Sequence, residues 1–73
     1  DGAAGVLFMA VQAAKRLCLP PLALVRGTAT AALSPATMGL GPVHATPKAL
    51  AAAGLAFDQL DVLEINEAFA AQV

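Results

Sequence analysis

The stretch VLEINEAFAAQ, Val62 to Gln72, changes its periodicity in the middle, and that change decides the fold class. Val62 to Ile65 is short, mostly apolar and partly β-branched, which predicts a strand. Asn66 follows with a side chain well suited to cap a helix. Glu67 to Gln72 then continues in helical character, with Glu67 beside the positive end of the macrodipole. A strand that runs straight into a helix is the recurring joint of α/β proteins, and ligands in such sheets collect beyond the carboxyl ends of the strands. The Ile65-Asn66 junction is therefore where chemistry is expected.

Working back toward the N-terminus, a short turn is expected around Phe57 to Leu60. Val43 to Ala53 reads as a helix with Lys48 exposed and Leu50 inward, closing on Gly54 as a left-handed C-cap. Ala31 to Pro42 holds Pro35, Pro42, Gly39 and Gly41 and reads as a loop that ends in the Gly-Leu-Gly-Pro turn. Leu22 to Thr30 is a strand candidate in which Gly27 marks either a bulge or a close approach of another backbone. Val11 to Leu19 is a second helix. Its Lys15 and Arg16 suit the carbonyl end of the macrodipole, and Pro20-Pro21 cannot continue it. Ala3 to Met9 is apolar at every position, as in a strand buried on both faces. The order is strand, helix, strand, helix, strand, helix, an α/β pattern with a largely buried sheet.

The composition excludes several classes. Residues of the set AVILMFWYC make up 59% of the chain, too apolar for disorder. The net charge is −1 and Trp and Tyr are absent, so neither a basic stripe nor a stacking platform for nucleic acid exists. The unbroken apolar run from Gly2 to Val11 is about half of the roughly 20 residues that cross a bilayer. One Cys and one His cannot supply a structural zinc site or an internal disulfide, and no metal is expected. With 73 residues and no staple, the chain is expected to be an excerpt from a larger protein.

Few residues offer chemistry, and each has a plain alternative. Asn66 can fix a water or donate toward a developing oxyanion, or it can simply cap the helix. Cys18 sits near a helix C-terminus, where the dipole disfavours a thiolate, so a bystander role is expected. His44 starts a helix with no carboxylate or Cys beside it in sequence. Glu64 and Glu67 lie three apart across a change of structure and need not share a face. Gly39 to Pro42 precedes a helix but lacks the lysine and spacing of a P-loop, so a tight turn is expected. Met38 beside it either lines a pocket or fills core space.

Three motifs in order carry a specific resemblance: DGAA from Asp1 to Ala4, MGLGP from Met38 to Pro42, and NEAFAAQ from Asn66 to Gln72 behind the strand VLEI. Together with KALAAAGL from Lys48 to Leu55 they resemble the thiolase family along essentially the whole chain. The resemblance implies a duplicated α/β fold of two similar halves. Residues 1–20 would be the closing strand and helix of the N-terminal half, and residues 21–73 the opening part of the C-terminal half. Thiolases transfer acyl groups between a cysteine and coenzyme A, cleaving a 3-ketoacyl-CoA or condensing two acyl-CoA molecules.

Residue by residue, the resemblance makes Asn66 the catalytic asparagine that holds a water at the oxyanion, and places Met38, Ala68 and Phe69 at the substrate. The nucleophile cysteine would lie upstream of Asp1, and the histidine and second cysteine downstream of Val73. Cys18 matches neither cysteine. His44 stands in GPVHAT where family members commonly carry a second proline. Coenzyme A is implied as a substrate and not as a bound cofactor, with no nucleic-acid or membrane partner and a homo-oligomeric parent. The expected compartment is the bacterial cytoplasm, although mitochondria and peroxisomes also host the family. The contrasting reading from composition alone is a small non-catalytic interaction or oligomerisation module.

Overall fold

Two helices organise the chain, and the computed structural model describes residues 1–72 around them. Val73, the last residue of the region assigned above to the C-terminal half, lies outside the described residues. Helix α1 spans Val11–Arg16 and helix α2 spans Gly41–Ala53. Short 3-10 segments cover Pro35–Leu40, Phe57–Gln59 and Ala70–Gln72.

Both helices stop by the same device. After α2, Gly54 turns left-handed at φ 67°, its N–H donates to Ala51 O at 3.2 Å, and Leu55 N–H donates to Leu50 O at 3.0 Å. After α1, Cys18 N–H donates to Lys15 O at 3.2 Å and Leu19 N–H to Ala14 O at 2.9 Å. These are the paired bonds of a Schellman motif, which satisfy carbonyls that the helix leaves open. The C-cap expected at Gly54 is thus present, and Lys15 and Arg16 do occupy the last turn of α1. The first helix ends before Leu19, because Cys18 takes the left-handed position at φ 55° that glycine normally fills.

That position is strained for an L residue by about 1–2 kcal/mol. Cys18→Gly in the full-length protein is therefore expected to raise stability by up to about 1 kcal/mol, after glycine's larger unfolded-state entropy is offset. Gly54→Ala is expected to lower it by about 1 kcal/mol. Urea-unfolding midpoints of the two variants, moving in opposite directions, check both statements.

Helix α2 begins two residues earlier than its pattern predicted. Pro42 sits in its first turn, where a missing N–H costs nothing. Pro47 lies inside it and leaves the Val43 carbonyl without its usual helical donor. The loop expected over Ala31 to Pro42 is shorter than read: Pro35–Leu40 coils into 3-10 turns broken at Thr37, whose φ of −125° is not helical. Thr37 donates both its N–H, at 2.9 Å, and its Oγ1, at 3.4 Å, to Ser34 O. The turn expected at Phe57 to Leu60 is present, and Gln59 Oε1 accepts the Ala56 N–H at 2.8 Å.

The expected alternation of strands and helices is not seen among the described residues. Among the described residues no β-ladder forms, so Ala3 to Met9, Leu22 to Thr30 and Val62 to Ile65 are not strands here. A strand exists by pairing with a neighbour, and local propensity cannot supply one. The helix expected over Glu67 to Gln72 is likewise reduced to the 3-10 turn Ala70–Gln72. None of these six residues is buried, so no packing offsets the cost of helix nucleation.

Burial explains the lack of sheet. Val6, Leu7 and Phe8 are consecutive and stand 77%, 78% and 74% exposed, so both faces of that run are open. The accessible surface of 6591 Å² compares with about 4200 Å² for a compact chain of this mass. The radius of gyration of 15.7 Å compares with about 11 Å. Among the described residues only Ala14 is buried. The apolar excess of the sequence is thus unspent surface rather than core.

Candidate functional site

Helix α2 is the element on which the rest is placed. On one side, Leu24 to Gly27 approach Thr46, Ala49, Leu50 and Ala53 around an open trough. The approach is closest at Gly27, where a Cβ would stand 2.6 Å from Ala49 O, 2.9 Å from Ala53 N and 3.1 Å from Ala53 Cβ. Of the two roles considered for Gly27, the structure realises the close backbone approach. Ala49 and Ala53, four residues apart with glycine opposite, are the sequence signal for it.

Next to it along the helix, Leu63 and Ile65 line a mainly apolar cleft of about 450 Å³ with Pro42, Val43, Thr46, Pro47, Leu50 and Phe57. Thr46 and Leu50 border both spaces. Two of the three runs read as strands therefore lie against the same helix, which sets the end of the Val62 to Ile65 run, and so Asn66, relative to α2.

Asn66 is exposed at the end of that run. Its main-chain carbonyl accepts the Ala68 N–H at 3.1 Å, while its carboxamide makes no hydrogen bond among the described residues. The capping role expected of its side chain is not realised, because the turn that follows starts only at Ala70. A carboxamide not engaged by the backbone retains its donor and acceptor for a water or ligand. Ala68 and Phe69 follow it, both exposed, and Phe69 O accepts the Gln72 N–H at 3.0 Å.

Met38, exposed on the Pro35–Leu40 turn, reaches this segment through its neighbour. A Cβ on Gly39 would stand 3.7 Å from Gln72 Cγ. The turn of Met38 and the segment of Asn66 are thereby brought together from distant parts of the chain. No local pattern of the sequence announces this contact between Gly39 and Gln72.

The remaining candidates are all exposed side chains. Cys18 is exposed at the left-handed turn after α1. His44 is exposed in the first turn of α2, and Glu64 and Glu67 are both exposed. Among the described residues no group of three His, Cys, Asp or Glu side chains is placed to hold a metal, and no helix is long and apolar enough to cross a membrane.

Comparison with known proteins adds the wider context. Over 72 residues, 99% of this chain, it is 56% identical to the acetyl-CoA acetyltransferase of Pseudomonas aeruginosa and 54% identical to that of Chromobacterium violaceum. The 3-ketoacyl-CoA thiolase of Saccharophagus degradans is 53% identical over the same span. The chain covers 18% of the length of each of these relatives. No solved structure matches it. The family described as "Thiolase, C-terminal domain" matches residues 19–73. With the NEAFAAQ segment and the MGLGP turn meeting beside α2, this match over most of the chain makes it a member of the thiolase family.

Proposed function

We propose that the chain is an internal part of an acyltransferase that moves acyl groups to and from coenzyme A, either by thiolysis of a 3-ketoacyl-CoA or by formation of acetoacetyl-CoA. The observation that carries this is the identity of 53–56% across 99% of the chain to relatives bearing both enzyme names. In thiolysis, a cysteine thiolate adds to the 3-keto carbon and the bond between C2 and C3 breaks. The electron pair passes into the thioester enolate of the departing acetyl-CoA, which is protonated at C2. Coenzyme A then takes the acyl group and frees the cysteine. Covalent catalysis splits one difficult carbon–carbon step into two easier ones.

Asn66 is the catalytic contribution of this chain. Negative charge builds on the thioester oxygen as the enolate forms, and a carboxamide that already orients a water there avoids solvent reorganisation at that moment. The free carboxamide at the end of the Val62 to Ile65 run supports this role. Met38, Ala68 and Phe69 form walls beside the acyl group, with the nucleophile cysteine supplied from before Asp1 and the histidine from after Val73. The same reading divides the chain at residues 20 and 21 between two halves of a thiolase-like α/β fold, whose sheets cover the apolar runs left open here. The parent is a homo-oligomer of the bacterial cytoplasm, consistent with relatives from bacteria.

The direct test follows absorbance at the enolate band of acetoacetyl-CoA as coenzyme A is added. The full-length protein is expected to consume acetoacetyl-CoA, and the 73-residue chain alone is expected to show no rate above a blank. A full-length protein with neither thiolysis nor condensation overturns the proposal. A cooperative melt of the isolated chain would instead favour a free-standing interaction module, because such a melt requires a folded core of the chain's own.

A further inference from the structure

The turn of Met38 and the segment of Asn66 touch where the Gln72 side chain lies over Gly39. A Cβ on Gly39 would stand 3.7 Å from Cγ, 3.9 Å from Cδ and 4.0 Å from Cβ of Gln72. Those are ordinary contact distances, so a methyl group fits and anything longer meets the glutamine. Backbone strain does not account for glycine at 39, because among the described residues Gly54 is the glycine with positive φ. A Cβ there would only touch the Gln72 stem, whereas a longer side chain would compete with it for the same space. The Gln72 carboxamide oxygen is shielded from solvent with no hydrogen-bond partner among the described residues. Packing of the stem, and not a polar bond of this oxygen, holds the side chain across the turn.

We propose that Gln72 is a positioning residue: its side chain fills the space over Gly39 and fixes the turn of Met38 against the segment of Asn66. The proposal deepens the acyltransferase reading and rests on it for Met38 as a wall of the acyl pocket. A side chain that sets one wall relative to the oxyanion group changes how well substrate fits, and leaves the chemistry of a correctly bound substrate nearly intact.

The test compares Gln72→Ala, Gly39→Leu and the double variant in the full-length enzyme, by steady-state kinetics with acetoacetyl-CoA and coenzyme A and by thermal unfolding. Gln72→Ala is expected to raise KM for acetoacetyl-CoA about fivefold with kcat within about twofold of wild type. Gly39→Leu alone, crowding the glutamine, raises KM as well. In the double variant the leucine occupies the space that Gln72 vacates, so KM returns to within about twofold of wild type and the two Tm shifts are not additive. A purely structural loss would reduce active enzyme, and so lower kcat with KM unchanged; that result overturns the proposal. Additive effects on both KM and Tm overturn it as well. A wild-type enzyme without thiolysis would sink the acyltransferase reading instead, while the Tm cycle still decides whether Gln72 and Gly39 are coupled.

Discussion

Asn66→Ala in the full-length enzyme is expected to lower kcat for acetoacetyl-CoA thiolysis about 100- to 1000-fold, with KM changed by no more than about threefold. The size follows from what is removed. A preorganised donor at a developing oxyanion is worth about 3–4 kcal/mol, and it acts more strongly in the transition state than in the bound substrate. The carboxamide is not engaged in capping here, so its loss leaves no frayed helix to confuse the result. Asn66→Asp sharpens the test, because it keeps the size while placing negative charge where negative charge must develop. Its kcat is expected to fall at least as far. An Asn66→Ala enzyme with kcat within threefold of wild type would remove Asn66 from the catalytic machinery.

The second large effect is on stability. Gly27→Val is expected to destabilise the full-length protein by about 3 kcal/mol, roughly a 100-fold fall in the folding equilibrium, and Gly27→Ala by about 1–2 kcal/mol. A Cβ at this position meets Ala49 O at 2.6 Å and Ala53 N at 2.9 Å, the acceptor and donor positions of a single turn of α2. Neither atom is the end of a flexible side chain, so relief requires the Leu24 to Gly27 segment or the helix to shift as a body. Such a shift would also disturb Thr46 and Leu50, which border the adjoining cleft as well. The urea midpoint should drop with the slope unchanged. A Gly27→Val protein as stable as wild type would show that the approach of Leu24 to Gly27 to α2 is looser in the full-length protein.

What was legible from residues alone was local. Gly54 as a left-handed cap, Lys15 and Arg16 in a last turn, the turn after Ala56 and the helix through Lys48 and Leu50 each depend on neighbours within about one turn of chain. The early stop of α1 is not legible, because Cys18 adopts a conformation that its side chain disfavours and Pro20-Pro21 predicts a later end. Pro47 does not end α2, since the small and helix-favouring residues around it outweigh one missing bond. The Met38 and Asn66 motifs could be found by resemblance. Their meeting through Gly39 and Gln72 could not, because contacts between residues far apart in the chain leave no mark on local periodicity.

The sequence by itself determined that two main helices form and how the second ends, and its motifs identified the family that the match over residues 19–73 bears out. Capping, propensity and proline chemistry act over a few residues and need no distant partner. Only the tertiary structure decided that Gly27 is a contact and not a bulge, that the Asn66 side chain is no cap, and that Gln72 lies over Gly39. It also decided that Val6, Leu7 and Phe8 remain open, where the sequence predicted a buried strand. The physical reason is common to all of these: strands, buried faces and close approaches are properties of pairs of segments, and a pair is stabilised only when both members are in place.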